Sequence, residues 1–283
     1  MFRLRPPLAN HIEYVGYWDG HCDPGRSTPR HVSRALPRGA ATVIIGLGDT
    51  TDVGFYSSDG RTALTVPPAF IVGAGVSSHV IRMESSQTVM TVHFRPAGAL
   101  PFFGHPLGEL ENTWIGLEDL WGRDAEVLCE RLFATTSAGR RVAMLEAFLL
   151  DRMRRVDLRL NPGVASVVES AEREPSMHVA QVAGAVGLPR KRFNAVFRSE
   201  VGLTPKAYFR VRRLQAALRG LGASRPGAEI AADLGYFDQA HFVREFRSFT
   251  GMTPTQYLER RSRMPGHVDL DQNIQAKLTW VRR

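Results

Sequence analysis

Over the first hundred residues the apolar positions fall in short runs, several of them alternating with polar ones. EYVGYWDG (13–20), ATVIIGLG (41–48), ALTVPPAFIVGAG (63–75), HVIRME (79–84) and TVMTVHFRP (88–96) are the clearest. Gly, Pro and Asp punctuate them, which is the spacing of strands in a sandwich or small barrel. From about Gly116 the period lengthens. Leu117, Leu120, Val127, Leu128 and Leu132 fall at helical spacings, and Val142, Leu145, Phe148 and Leu149 form a stripe on a second helix. Such a stripe packs on its own barrel or makes a helix–helix dimer contact, and the pattern alone leaves both readings open. Val156–Gly163 reads as a linker, with Asn161 as N-cap and Pro162 at the first helical position. The chain then reads as helical to about Arg263, and residues 264–283 show no periodicity.

The helical part contains a duplication. At an offset of 49, Phe193, Phe197, Arg198, Ser199, Gly202, Thr204, Pro205 and Tyr208 recur as Phe242, Phe246, Arg247, Ser248, Gly251, Thr253, Pro254 and Tyr257. Two copies are too few for a solenoid and suit a repeated supersecondary unit. In the first copy Val179, Val182, Ala183 and Val186 form the apolar face of a short helix and Gly187 ends it. Phe193, Val196 and Phe197 then face inward from a second helix. Ile230, Ala231, Leu234, Gly235, Phe242, Val243 and Phe246 repeat the scheme. Two short helices about a glycine turn make a helix-turn-helix. Thr204-Pro205 and Thr253-Pro254 each open a further helix as N-cap and first residue. The first of these, from Pro205, bridges the two units and spans roughly 22 Å over fifteen residues. With its flanking turns, that suits two reading helices about one DNA turn, roughly 34 Å, apart.

Charge sharpens this picture. Residues 1–160 carry 17 Lys+Arg and 17 Asp+Glu, whereas residues 161–283 carry 19 and 11, so the whole net charge of +8 lies in the C-terminal part. A basic module joined to a neutral one points to a polyanion partner. Arg190, Lys191, Asn194 and Arg198 share the outward side of the first reading helix, and Gln239, His241, Arg244 and Arg247 that of the second. These long donors suit base edges and phosphates in a major groove. Cys22 and Cys129 are far apart and read as two reduced thiols. No apolar run is long enough for a membrane span, and the first residues lack the apolar core of a secretory signal, so a cytoplasmic chain is expected.

Catalytic motifs are lacking. Six histidines precede residue 106 (His11, His21, His31, His79, His93 and His105), yet no H-x-H pair occurs, and His93 reads as structural. G-x-S-x-G, G-x-x-x-x-G-K-[ST] and H-E-x-x-H are absent. Gly46-Leu47-Gly48-Asp49 reads as a turn.

Residues 162–262 resemble the AraC/XylS family of bacterial transcription regulators, through GYFDQAHFVREFRSFTGMTPTQY and LPRKRFNAVFRSEVGLTPKAY. The resemblance places Lys191 and Asn194 at base-contacting positions of the first reading helix, and Gln239, Ala240, His241 and Arg244 at those of the second. Ala195 departs from the arginine many members carry, and Pro189 from the usual Ser-type cap. HIEYVGYWDG, ATVIIGLGD and VHFRPAGALPFFGHPLGELENTWIGLEDLWG are similar to sensor domains that precede such modules. That similarity implies a cupin-like β fold that binds an effector or mediates dimerisation. The expected fold class is thus α+β multidomain: a β-rich cupin-like domain (1–115), helices and a linker (116–160), an all-α double helix-turn-helix domain (161–263) and a tail (264–283). The expected partners are double-stranded operator DNA, RNA polymerase if the chain activates, a small-molecule effector and a second copy of the chain. No cofactor, metal or membrane is expected, and no enzymatic activity. The alternative is a cupin-like metal enzyme fused to a DNA-binding module.

Overall fold

The structure, a computed structural model, describes residues 1–19, 30–48, 54–84, 87–156, 158–177, 179, 184, 186–262 and 266–270. The positions read above at His21, Cys22, Asp49, Val182 and Ala183, and most of the tail, lie outside the described residues.

Among the described residues ten strands form two five-stranded antiparallel sheets. β1 (Ile12–Asp19), β8 (Thr88–Phe94), β3 (Thr42–Gly46), β6 (Ala69–Val72) and β9 (Trp114–Gly116) lie side by side in that order. The second sheet runs β10 (His267–Asp269), β2 (Arg30–Ala35), β7 (His79–Glu84), β4 (Gly54–Tyr56) and β5 (Ala63–Leu64). The alternating runs place β1, β3, β6, β7 and β8. β2, β4 and β9 are short or polar, and their sequences carry no clear period-2 signal.

Alternation explains the layering, because successive side chains of a strand enter opposite faces. In the first sheet Val43, Ile45, Met90, Val92 and Phe94 enter a core shared with the helices that follow it. Ile44, Phe70 and Val89 point the other way and meet Ala35, Phe55, Ile81 and Met83 of the second sheet. The second sheet's outer face, through Val32, Tyr56 and Val80, joins a third cluster built mainly from residues 164–257. Both faces of each sheet are therefore covered.

α1 (Leu100–Phe103), α2 (Leu117–Trp121), α3 (Arg123–Phe133) and α4 (Ala138–Arg155) cover the first sheet. Gly122, at φ 57°, separates α2 from α3. Val142, Leu145 and Leu149 are buried, with Phe148 packed beside them, so the stripe of α4 faces its own domain. Val127, counted with the apolar positions of α3, is 42% exposed.

α5 (Pro162–Arg173) starts where Asn161 Oδ1 accepts from Gly163 N at 2.9 Å. Then follow α6 (Arg190–Val201), α7 (Pro205–Gly222), α8 (Gly227–Asp233), α9 (Gln239–Thr250) and α10 (Pro254–Arg260). After α10 the chain returns to the N-terminal half. β10 pairs antiparallel with β2, matching His267 with Ala35 and Asp269 with Ser33. The strand lies in the tail, where no element is expected from the sequence. Three residues are too few to show a period, and pairing with a distant edge leaves no local signal.

Candidate nucleic-acid interface

The duplication read in the sequence is a duplication in space. Phe193 and Phe197 are fully buried with ring centroids 5.6 Å apart, and Phe242 and Phe246 repeat this at 5.7 Å. Tyr208 packs at a tilt against Phe197 at 5.5 Å, and Tyr257 meets Phe246 edge-on at 5.8 Å. Gly187 and Gly235 make the turns with φ of 69° and 71°. Gly202 and Gly251 end α6 and α9 in the left-handed conformation, the usual residue for that cap. Thr204 Oγ1 accepts from Ala207 N at 3.3 Å, and Thr253 Oγ1 from Gln256 N at the same distance. Gln256 completes a capping box by accepting from Thr253 N.

The copies differ at the start of the reading helices. Asp238 caps α9 by accepting from His241 N at 2.6 Å. Pro189, at the same place in α6, makes no such bond. α7 runs from Pro205 to Gly222, eighteen residues or roughly 27 Å, and so extends further than its sequence pattern implies. Its N-terminal half is bolted to α9. Arg210 Nε donates to Glu245 Oε1 at 2.6 Å and its guanidinium lies 4.9 Å from the Phe249 ring, while Arg213 stands 5.6 Å from the Tyr236 ring. The carboxylate is mostly shielded from water, so this pair fixes α9 relative to α7 more firmly than a surface pair would. Neither Glu245 nor Arg210 stands out in the sequence, since a charged residue on a basic helix reads as surface.

Arg190, Lys191 and Asn194 on α6, and Gln239, Ala240, His241, Arg244 and Arg247 on α9, are all exposed. Their own helices thus present them together in two sets. His241 rests edge-on against Tyr236 at 5.4 Å. Arg198 is exposed too, but its Nε donates to Glu111 Oε2 of the N-terminal half at 3.0 Å. Phe237, at the mouth of the second turn, is 93% exposed, and nothing in its sequence setting marks it as such.

The N-terminal histidines have other surroundings. His93 stacks on Tyr14 at 4.2 Å and is hydrogen-bonded to Thr91 and Arg38. Among the described residues no three His, Cys, Asp or Glu side chains gather as a metal-holding cluster. No described helix is long and apolar enough to cross a membrane.

Comparison with known proteins agrees with this geometry. Residues 182–260 match a family model described as a helix-turn-helix domain, and residues 2–116 one described as a domain of unknown function (DUF6597). The arabinose operon regulatory protein of Escherichia coli (strain K12) is 28% identical over 176 residues, 59% of this chain and 55% of the relative. The probable transcriptional regulator LumQ of Photobacterium leiognathi is 31% identical over 85 residues, 30% of this chain and 34% of the relative. The chain thus spans between a third and just over half the length of these relatives. A structure of ToxT from Vibrio cholerae aligns over 87% of this chain and 96% of its own, at 12% identity and a TM-score of 0.44. With its two phenylalanine-cored helix-turn-helix units in tandem, the chain carries a helix-turn-helix domain over residues 182–260 and is similar to AraC-type transcription regulators such as the arabinose operon regulatory protein.

Proposed function

We propose that the chain is a sequence-specific DNA-binding transcription regulator whose two reading helices enter successive major-groove segments on one face of a duplex. One observation carries this reading: the two units repeat each other residue by residue, and each turns a set of long hydrogen-bond donors to solvent. Lys191 and Asn194 on α6, and Gln239, Ala240, His241 and Arg244 on α9, contact base edges. Arg190, Arg198 and Arg247 contact phosphate, which supplies affinity without sequence information. The division into residues 1–115, 116–160 and 161–263 assigns sensing to the first part and DNA to the last. A small-molecule effector acts through the β-rich half, a second copy of the chain fills a paired operator, and RNA polymerase is the further partner where the regulator activates.

Selection of bound duplexes from a random library tests the proposal. The expected product is a site with two conserved elements about one helical turn apart. A Lys191→Ala chain should lose preference only in one element, and an Arg244→Ala chain only in the other. Enrichment of no sequence, or of a single element unaffected by both substitutions, would refute it.

A further inference from the structure

Between the inner faces of the two sheets lies a cavity of about 460 Å³. That is within the range of pockets that enclose small organic ligands. Its walls are apolar and rich in flat rings, among them Trp18, Phe55 and Trp114, with Ile44 and Ile81. Its polar lining joins hydroxyl groups, such as those of Tyr14, Thr42 and Ser78, to Arg38 and three histidines, His79, His93 and His267, and holds no carboxylate among the described residues. The guanidinium of Arg38 is held in place by Tyr14 Oη at 3.2 Å, His93 Nδ1 at 2.5 Å and the Glu13 carboxylate. Burial, with His267 and Arg34 nearby, pushes His79 down to about 3, and burial, Arg38 and His267 hold His93 well below its usual value. Both imidazoles are therefore neutral at pH 7, chiefly because burial disfavours their charged form, which leaves the Arg38 guanidinium as the fixed cation of the lining.

The chemistry fixes a ligand class, and the topology adds a consequence. Gly266 and His267 line the cavity, and they belong to the segment that follows the last helix of the second helix-turn-helix. A side chain at Gly266 would begin 3.7 Å from Arg38 Cδ, so the strand and the arginine share one end of the cavity. β10 is seated by Leu36 N donating to Gly266 O at 2.8 Å, by Leu270 N donating to Val32 O at 3.1 Å, and by the fully buried Val268. Val268 also bridges to Arg261 at the end of α10. The loop carrying Arg38 reaches the linking helix as well, since Gln215 of α7 donates to Pro37 O at 2.6 Å.

We propose that the cavity binds a flat, apolar organic anion whose charged end lies between Arg38 and His267, and that β10 is its latch. A ligand that touches His267 binds best when β10 is seated, so by linkage it holds the strand on β2 and ties the second helix-turn-helix to the sensor. This rests on the regulator reading given above and names the ligand class and the moving part.

Anilinonaphthalene sulfonate and its uncharged counterpart phenylnaphthylamine share a ring system and serve as probes. Energy transfer from Trp18 and Trp114 reports their entry into the full chain. The expected result is one saturable site that favours the sulfonate by tenfold or more. Arg38→Gln and Val268→Asp should each weaken it tenfold or more, and the bound probe should slow amide exchange at Leu36 and Leu270. Circular dichroism and a melting curve show whether Val268→Asp still folds. If it does not, His267→Ala, which leaves the backbone pairing intact, carries the test with the same expected loss. The proposal is overturned by no saturable site, by equal affinity for the neutral probe, or by undiminished sulfonate binding in a folded latch variant. Selection of DNA by the probe-free chain is run separately, so its failure would sink the regulator reading without being confused with an empty cavity.

Discussion

Arg244 shows how little of a reading helix is free to read. On α9, Phe242, Phe246 and Phe249 are spent on the core, Asp238 caps the helix and Glu245 is bound to Arg210. The exposed remainder has Arg244 between His241 and Arg247. Arg244→Ala should therefore cost about 1–3 kcal/mol of operator affinity and relax a single base position, while the melting temperature stays unchanged. Competition binding against duplexes varied at each position checks both halves of that statement. His79 behaves oppositely, because its effect is on stability. Its folded value of about 3 lies below the unfolded 6.5, chiefly through burial and secondarily through His267 and Arg34. A neutral imidazole is favoured in the fold, so the contribution is complete above pH 6.5 and is lost as the pH falls toward 3. At about 1.4 kcal/mol per unit, acidification from pH 6.5 to 5 should remove about 2 kcal/mol through this residue. Urea unfolding at the two pH values, with and without His79→Gln, isolates it. A pH slope that His79→Gln leaves unaltered would rule this out.

Among the elements, the two reading helices form a built-in control. Asp238 satisfies a backbone N–H at the start of α9, and Pro189 satisfies none at the start of α6. Asp238→Ala should cost about 1 kcal/mol of stability, the usual loss for an N-cap, whereas Pro189→Ala has no cap to lose. Chemical denaturation of both variants tests the contrast, and equal losses would contradict it. The asymmetry is legible in the sequence because caps are local. The same holds for Asn161, Thr204 and Thr253, whose side chains lie within three residues of the amides they bind. The phenylalanine pairs are legible too, since a spacing of four on a helix fixes their face. β10 is not, because Val268 owes its burial to β2, more than two hundred residues earlier. The cavity is equally illegible. Trp18, Arg38, His79, Trp114 and His267 converge from separate strands and loops, and no short motif joins them. His93 is a structural residue by its stacking and hydrogen bonds, yet it also forms part of the cavity wall, and one histidine in a strand signals only the first role.

Across the whole molecule, the DNA-binding part is not a free module on a tether. The second sheet shares a buried cluster with helices α5 to α10, and the N-terminal half holds one member of the proposed interface. Arg198 of α6 is paired with Glu111 at 3.0 Å, with 52% and 22% of their side chains exposed. Close by, a side chain at Gly108 would begin 2.8 Å from Arg198 O, so the end of α6 abuts the N-terminal half at a point with no spare room. A phosphate reaching Arg198 must compete with Glu111. An exposed pair of this kind is worth about 0.2–1 kcal/mol, so Glu111→Gln should tighten DNA binding by roughly 1.4- to 5-fold. The gain should be largest at low salt, where the Arg198–Glu111 pair that DNA must displace is least screened. Glu111→Gln lies outside both reading helices, so sequence preference should not change. Titrations of wild type and variant on one duplex at several salt concentrations decide the matter. Equal affinities at every salt concentration would mean that Arg198 serves the contact between the two halves of the chain and takes no part in binding DNA.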